Sequence, residues 1–291
     1  MQTCGDLNLE IDTPLADINN RYTVLNKLGE GSFGRVYRVV DNHTNDVVSM
    51  KILPVKKEYS LTEATHGCRI SQTVNISPSL VYPINIGLVK EFPVHDPVTN
   101  KLISYRQDKK ITLKKKKFKL FPDNPHVEGL VLIYPLLYLS SFGENYEDLK
   151  DFIFEMAVAI IALQSIRLTH NDIYLDNILY KRSDETRLYT VDGIQYLVKS
   201  KSVPVLIDYG QVLPFEDIDE SLKLIRKYDF RALRDLVVKT TVRSLKRKDQ
   251  ILLGEVEWGP GMISSEFFSP LRNRVITGGE TLKVFEPINT D

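Results

Sequence analysis

The sequence predicts an α+β protein of two lobes, with a β-rich first lobe and a mainly helical, shortened second lobe. The first third of the chain contains short apolar runs separated by turn residues, as β-strands do. Residues 147–167 and 222–245 instead carry apolar residues at helical spacing. The 291 residues correspond to about two domains of ordinary size, and a hydrophobic content of 43% supports a sizeable core.

The composition excludes several classes of protein. With 38 basic and 38 acidic residues, the net charge is zero, which argues against a protein built wholly around a polyanion. Two cysteines exclude a disulfide scaffold and favour an intracellular location, cytoplasmic or nuclear. The longest apolar stretch, residues 152–166, is interrupted by Glu155 and Gln164 and is shorter than the ~20 residues that a membrane span needs. We therefore expect no membrane span, and no secretory signal either, because the first fifteen residues contain no cation.

The order of these patterns predicts the domain organisation. Residues 1–20 are interpreted as a polar, weakly structured lead-in, residues 21–136 as the first lobe and residues 137–291 as the second. Within the first lobe we expect three strands between Arg21 and Leu53, a helix over 58–73 and a buried strand over 129–139. The second lobe is expected to begin with the 147–167 helix, followed by four short strands and the 222–245 helix. Residues beyond 254 are rich in Gly and Pro and give no assignment.

Residues 101–119 form a strongly basic insert in the first lobe. Nine of them are Lys or Arg, four consecutively from Lys114 to Lys117, and only Asp108 is acidic. With Tyr105 and Phe118 among the cations, the segment has the composition of a polyanion contact. A solvated insert without a partner is the alternative.

A glycine-rich segment joins the first two predicted strands. A G-x-G-x-x-G pattern lets backbone N–H groups approach phosphate oxygens closely. Dinucleotide-binding folds place this pattern between a strand and a helix, whereas here β-forming residues follow it. An ordinary glycine hairpin is the alternative. The candidate nucleotide-binding residues are Leu28, Gly29, Glu30, Gly31, Ser32, Phe33, Gly34 and Val36.

Lys51 lies inside the apolar third strand, and a lysine in such a place needs an acidic partner. Its ammonium would reach phosphates held by the glycine-rich segment. Glu63, in the predicted helix, is the preferred partner. Glu58 is the alternative partner, but it lies only seven residues after Lys51, which leaves little chain to turn back towards the sheet.

Two further segments place carboxylates where a strand begins or ends. Asp172 and Asn177 lie five residues apart in a loop after the 147–167 helix, and Asp208 ends an apolar strand before Gly210. A carboxylate in such a loop can accept a hydroxyl proton, and amide and carboxylate oxygens can bind Mg²⁺. Taken singly, each aspartate is more typical of a turn.

In this order and local context, the four elements resemble the eukaryotic-type protein kinase superfamily over roughly residues 22–240. The resemblance implies a two-lobed kinase-like fold with ATP bound in a cleft. It implies that the glycine segment covers the ATP phosphates, and that Lys51 binds the α- and β-phosphates and pairs with Glu63. It further implies that Asp172 is the catalytic base, and that Asn177 and Asp208 hold Mg²⁺.

The chain departs from the family pattern at several positions. Asn171 stands where most kinases have arginine, and Tyr174 where Ser/Thr kinases usually carry a lysine that contacts the transferring phosphate. Tyr209 replaces phenylalanine, a conservative change, and residues 181–204 form an extended hairpin. Asp229 is expected to brace the catalytic loop. These features resemble divergent small kinases such as haspin and kinases of large DNA viruses, for which the location would be the host cell or the virion.

The predicted function is therefore that of an ATP- and Mg²⁺-dependent serine/threonine protein kinase. Four carboxylates between residues 216 and 220 predict a preference for basic protein substrates. The alternative is a catalytically weak pseudokinase, or a nucleotide-binding scaffold with a basic polyanion-binding segment at 101–119. A small-molecule acceptor also remains open, since small-molecule kinases share this core.

Overall fold

The protein is divided into two compact units. The structure, a computed structural model, describes residues 15–30, 34–55, 58–89, 93–96, 99, 101–104, 129–138, 146–215, 221–240, 247–277 and 279–288. The first unit comprises 1–69 and 82–136, and the second comprises 70–81 and 137–291. The segment 70–81 thus groups with the second unit, whereas the sequence-based bounds assign it to the first lobe. Those bounds stay a prediction.

The first unit is built mainly of β-strands. Its elements are α1 (Leu15–Arg21), β1 (Tyr22–Glu30), β2 (Arg35–Asp41), β3 (Val47–Pro54), α2 (Glu58–Ile70), β4 (Asn85–Val89), β5 (Pro93–Asp96), β6 (Lys101–Ser104) and β7 (Gly129–Pro135). Five strands form an antiparallel sheet of order β1-β2-β3-β7-β4, and β5 and β6 form a separate hairpin. The three predicted strands, the helix over 58–73 and the buried strand near 129–139 are all present. The central basic run, Lys114–Lys117, lies outside the described residues.

One face of this sheet carries the core of the first unit. Tyr37, Met50 and Ile133 from three adjacent strands are fully buried there, together with Ile18 of α1. The prediction of a weakly structured lead-in is therefore wrong for its last residues, because burial of Ile18 stabilises a helix that the polar sequence around it does not favour. Side chains alternate between the faces of a strand, so Lys51 lies on the face opposite Met50 and Ile52.

The second unit surrounds one apolar helix, α3. Its elements are α3 (Tyr146–Ser165), β8 (Leu168–Thr169), β9 (Ile178–Arg182), β10 (Thr186–Val191), β11 (Ile194–Val198), β12 (Ser202–Leu206), β13 (Leu213–Pro214), α4 (Ser221–Thr240), α5 (Arg247–Glu255), α6 (Ser269–Arg272) and β14 (Leu282–Val284). Residues 149–163 of α3 are buried all round, as expected of a central helix. Strands pair as β8–β13, β9–β12 and β11-β10-β14.

Three charged residues of α3 are buried, and each has an ionic partner. Lys150 Nζ lies 2.9 Å from an Asp249 carboxylate oxygen, and Glu155 Oε1 lies 2.6 Å from Arg187 Nε. Asp151 meets the Arg274 guanidinium at 2.6 Å. Because an unpaired buried charge is costly, these pairs tie α5, β10 and the C-terminal segment to the central helix.

The hairpin β10–β11 lies within the predicted extension at 181–204. Asp192 and Gly193 connect its strands, both with positive φ angles of 48° and 77°. This is the conformation of a two-residue hairpin turn, for which Asp-Gly is a favoured sequence. The C-terminal strand β14 then adds to β10 in parallel, a long-range pairing that local sequence patterns do not reveal.

The predicted α+β class is confirmed, with a β-rich first unit and a second unit whose longest elements are helices. Within the described parts of the chain, no helix combines the length and apolarity required to cross a bilayer.

Candidate active site

Lys51 in the first unit is paired with Glu63. Its Nζ donates to Glu63 Oε1 at 2.8 Å, and the side chains are 12% and 2% exposed. The neighbours of Lys51 on the adjacent strands are Val36 and Leu132, so the lysine is surrounded by apolar residues within the sheet. Tyr134 also donates to Glu63 Oε1, at 3.4 Å. The structure thus brings together the two residues that the sequence pairs, and the lysine is held in one direction by a buried carboxylate.

The glycine segment is described at its two ends, and Gly31, Ser32 and Phe33 lie outside the described residues. Gly34 has a steric role, because a Cβ built there would lie 2.4 Å from the carbonyl oxygen of Ile52 on β3. Gly29 has no such restriction, since a Cβ there would meet nothing within 4 Å. The close approach of two backbones therefore requires glycine at position 34.

Glu30, at the end of β1, forms ion pairs with two basic neighbours. Lys27 donates to its carboxylate, and Arg35 lies 3.5 Å from it. Partial burial acts to raise the pKa of Glu30, but the hydrogen bond from Lys27 and the charge of Arg35 outweigh it, so the pKa is lowered. Leu28 is 48% exposed beside this cluster, whereas Val36 is half-buried on β2.

The loop after β8 in the second unit is braced by Asp229 of α4. The fully buried Asp229 carboxylate accepts hydrogen bonds from Thr169 Oγ1 at 2.8 Å, His170 N at 2.7 Å and Asn171 N at 2.9 Å. These three donors are consecutive, so one carboxylate fixes the backbone immediately before Asp172. Asn171 has a positive φ of 62°, a conformation that persists where the surroundings enforce it.

Asp172 and Asn177 are joined directly. Asn177 Nδ2 donates to the Asp172 backbone oxygen at 2.9 Å and to its carboxylate Oδ2 at 3.0 Å. This double contact orients the Asp172 carboxylate. It also turns the carboxamide oxygen of Asn177 away from Asp172, which makes that oxygen the atom able to face a cation.

Asp208 follows β12 in a left-handed conformation, with φ 65° and ψ 80°. The preceding residue, Ile207, is held from the loop, because its N–H donates to Asn177 O at 2.9 Å and its carbonyl accepts from His170 Nε2 at 3.1 Å. Burial lowers the pKa of His170, so the ring is neutral with its hydrogen on Nε2. These bonds connect the segment before Asp208 to the loop that carries Asp172.

The oxygen atoms of Asn177 and Asp208 fit a hard cation such as Mg²⁺. No group of three or more His, Cys, Asp or Glu side chains able to hold a metal occurs among the residues that the structure describes. Magnesium in phosphoryl-transfer sites is typically held by one or two carboxylates together with substrate phosphates and water, so a complete protein cage is not required.

Tyr174 is 43% exposed at the start of the helical turn that ends at Asn177. Its pKa is raised by partial desolvation and by the negative charges of Asp172, Asp208 and Asp176. The phenol thus stands among the carboxylates of this unit. It can offer a hydrogen bond but no positive charge at ordinary pH.

The sequence reasoning did not find all residues that build this site. It named Asp229, but not Thr169 or His170 as separate supports. It also treated Tyr209 as a conservative replacement, whereas its hydroxyl makes two hydrogen bonds inside the second unit. The tyrosine itself was the available signal, because a buried hydroxyl needs partners that a phenylalanine does not.

Comparison with known proteins gives kinase relatives at low identity. No protein-family model matches the chain. The serine/threonine-protein kinase Doa of Drosophila melanogaster is 25% identical over 203 residues, which cover 66% of this chain and 20% of that protein. The dual specificity protein kinase CLK2 of mouse and of human is 27% identical over 205 residues, 66% of this chain and 34% of each relative.

A crystal structure of a kinase domain matches with a TM-score of 0.46 and 20% identity, covering 76% of this chain and 64% of that one. The chain spans about a fifth to a third of the length of the curated relatives that it matches.

Proposed function

We propose that the chain, which is similar to the protein kinases Doa and CLK2, is a protein kinase that transfers the γ-phosphoryl group of ATP to serine or threonine hydroxyls of protein substrates, with Mg²⁺ as cofactor. The narrower haspin-like or viral subtype stays a prediction. The roles of individual residues, set out for each unit in turn, belong to this proposal.

In the first unit, the proposed work is to bind the nucleotide. The glycine segment presents backbone N–H groups to phosphate oxygens, and Lys51 adds a positive charge whose direction is set by Glu63. Since the pair is largely buried, its electrostatic effect is screened less by water than that of a surface lysine. Lys51 would therefore stabilise negative charge on the phosphates as the bond to the γ-phosphorus breaks.

In the second unit, the proposed work is to activate the acceptor and hold the metal. Asp172 accepts the proton of the acceptor hydroxyl while the hydroxyl oxygen bonds to the γ-phosphorus and the bond from phosphorus to the bridging ADP oxygen breaks. Asn177 and Asp208 would hold Mg²⁺, which neutralises developing charge when bound. The hydrogen bonds to Asp229 and from Asn177 hold the Asp172 carboxylate in position before the reaction begins, so no free energy is needed to reorient it during the reaction.

One observation carries this proposal: the double hydrogen bond from Asn177 to Asp172 within a loop that Asp229 fixes. Two turn residues at this spacing need not meet. Here the two side chains are hydrogen-bonded to each other, which supports a role for Asp172 as the base and for the neighbouring Asn177 oxygen as a metal ligand, as phosphoryl transfer requires.

The acceptor class follows from charge. The described carboxylates near Tyr174 are negative, and residues 216–220 add four more in the sequence. We therefore infer a basic protein substrate, attracted by these charges. One relative is named a serine/threonine kinase and the other a dual specificity kinase, so hydroxyls of Ser and Thr are the first acceptors to test.

One observation favours a different function, that of a nucleotide-binding scaffold with little turnover. Tyr174 is neutral at the position where the family resemblance expects a lysine, so one charge-stabilising group is missing. The two functions differ in whether the γ-phosphoryl group is transferred.

The test is a radiolabelled phosphoryl-transfer assay with [γ-³²P]ATP, Mg²⁺ and a degenerate peptide library, run beside a small-molecule acceptor panel. The matched control is Asp172→Asn, which keeps the size of the side chain and removes the base. Labelling of Ser/Thr peptides that is lost in Asp172→Asn supports a protein kinase. ATP binding without transfer by either protein would establish the scaffold, and labelling confined to small molecules would overturn the protein acceptor.

A further inference from the structure

We propose that the Tyr209 hydroxyl is a latch that keeps Asp208 in its metal-binding conformation, so that Tyr209 is a positioning residue for the phosphoryl transfer on which this inference rests. Tyr209 is fully buried. Its hydroxyl donates to the carbonyl oxygen of Leu206 at 2.7 Å and accepts from the N–H of Val81 at 3.1 Å.

The conformation of Asp208 needs such support. A non-glycine residue with φ 65° occupies a sparsely populated region, and it stays there where surrounding contacts enforce it. The contact between the Asp208 carboxylate and Gly210 N is long, at 3.4 Å, so it contributes little by itself.

The backbone before Asp208 is already fixed from two sides. Leu206 N donates to Ser79 O at 2.9 Å, and Ile207 is bonded to the catalytic loop through both of its backbone groups. The Tyr209 ring lies edge-on to His170, with centroids 5.6 Å apart. The segment is thus anchored on its N-terminal side by backbone bonds and on its C-terminal side by the Tyr209 side chain.

The Tyr209 hydroxyl connects the residues on the two sides of Asp208. It reaches from residue 209 back to the carbonyl of residue 206, so a rotation of the Asp208 backbone that moves residue 209 away from residue 206 would break this bond. It also receives the N–H of Val81, which lies in the 70–81 segment of the same unit. Rotation of Asp208 out of its present conformation would have to break both bonds in a buried place, where lost hydrogen bonds are costly.

A phenylalanine at position 209 would fill the same space and make neither bond. The replacement of phenylalanine by tyrosine is therefore not neutral in this chain. The hydroxyl shifts the equilibrium between the present conformation of Asp208 and rotated ones, while the ring supplies only packing.

The test compares Tyr209→Phe with the matched control Tyr196→Phe. Tyr196 is also fully buried in the second unit, and its hydroxyl donates to Ile263 O at 3.1 Å, far along the chain from Asp208 and Val81. Hydrogen exchange is measured on the proteins without nucleotide, so the result does not depend on catalysis. We expect the amide of Val81 to exchange at least about tenfold faster in Tyr209→Phe, whereas Tyr196→Phe leaves it at the wild-type rate, since buried hydrogen bonds limit local opening.

A second measurement addresses the metal. Titration of Mn²⁺ into protein with a non-hydrolysable ATP analogue, followed by electron paramagnetic resonance, should show about fivefold or more weaker metal binding for Tyr209→Phe and no change for Tyr196→Phe. Unchanged exchange at Val81, or metal binding that weakens equally in both variants, would overturn the latch. If Tyr209→Phe does not fold, hydrogen exchange of the wild-type protein tests the proposal instead. Val81 lies outside helices and strands, so strong protection of its amide supports the bond and exchange at the rate of an unstructured peptide refutes it.

These outcomes are separable from those of the proposed function. Altered exchange in a protein that never transfers phosphate would leave the latch standing and remove the kinase activity. Normal phosphoryl transfer with unaltered exchange in Tyr209→Phe would support the kinase activity and refute the latch.

Discussion

The Glu155 carboxylate of α3 accepts a hydrogen bond from Arg187 Nε of β10 at 2.6 Å, and the two side chains are 0% and 1% exposed. Arg187 also donates to Ser200 O at 2.7 Å, and Tyr189 donates to Glu155 Oε1 at 2.8 Å. The β10–β11 hairpin is therefore joined to the central helix of the second unit by a buried polar network.

Removing one partner of this pair should strongly destabilise the protein. Arg187→Met leaves the Glu155 carboxylate buried without its counter-charge, so we expect a loss of about 3–5 kcal/mol in the free energy of unfolding, measured by urea denaturation. The double variant Glu155→Leu with Arg187→Met should recover much of this loss, because no buried charge remains.

The matched control is Arg234→Met. Arg234 pairs with Asp235 on the surface of α4, with both side chains about half exposed, and such pairs contribute less than about 1 kcal/mol. A similar loss for Arg187→Met and Arg234→Met would contradict the assignment of the buried pair as an anchor.

The C-terminal segment should respond to acid through Glu280. Hydrogen bonds from Thr277, Lys199 and Thr186 lower the pKa of this carboxyl from 4.5 to about 2. Because the folded-state pKa lies below the unfolded value, the stabilisation is present at neutral pH and is lost as the pH falls from 4.5 towards 2. In Glu280→Gln the midpoint of urea unfolding should fall less steeply over this range than in the wild type. Parallel pH profiles would show that these bonds do not favour the charged form.

Part of this architecture could be predicted from local patterns. Short apolar runs bounded by turn residues identified β1 to β3, and the helical spacing of apolar residues identified α3, because both are local patterns of the sequence. The helix α1 was missed, since the burial of Ile18 stabilises it through tertiary contacts that the local sequence does not show. The pairing of β14 with β10 was missed because nothing local specifies a partner about 95 residues away.

The candidate site shows the same division. The pairing of Lys51 with Glu63 followed from a charge in an apolar strand that needs a partner, and the role of Asp229 followed from the resemblance to protein kinases. The partners of the Tyr209 hydroxyl could not be predicted, because Val81 belongs to a segment whose position depends on the folded second unit. The sequence shows which buried polar residues need a hydrogen-bond partner, but only the fold shows which partner lies close enough.

Lys51→Met should reduce kcat for phosphoryl transfer by about 10²-fold or more, because a fixed positive charge near the phosphates is lost. The substitution also leaves Glu63 buried without its partner, so stability should fall too. The double variant Lys51→Met with Glu63→Gln separates the effects: its unfolding midpoint should return towards that of the wild type while kcat stays low. Lys239→Met, which removes an exposed lysine in the last turn of α4, is the control and should keep normal kcat. Recovery of activity in the double variant would remove Lys51 from the site.

The basic insert should contact polyanions without taking part in catalysis. We expect replacement of Lys114–Lys117 by alanine to leave peptide phosphorylation unchanged. Binding to single-stranded nucleic acid, measured by fluorescence anisotropy at several salt concentrations, should weaken and lose much of its salt dependence, because fewer counterions are released. The absence of salt-sensitive binding in the intact protein would instead support a solvated insert.

The segment after Asp208 is held at its start by backbone hydrogen bonds. Leu213 and Pro214 pair with β8, and Phe215 N donates to Arg167 O at 3.2 Å. Asn171 precedes Asp172 where the family resemblance expects arginine, and its uncharged side chain has no charge to pair with a phosphorylated residue.

We therefore expect activity to be independent of phosphorylation in this segment. Ser221 is the only hydroxyl residue between positions 211 and 221, and four carboxylates precede it between 216 and 220, so an added phosphate would meet repulsion rather than an ordering partner. Phosphatase-treated protein, untreated protein and Ser221→Ala should have equal kcat/KM on one basic peptide, and all three should prefer it to an acidic peptide because of the same carboxylates. An inactive dephosphorylated form would show that phosphate orders the segment after all, since Ser221→Ala would then be inactive as well. A preference of all three proteins for the acidic peptide would contradict the inferred substrate class and leave the regulatory prediction intact.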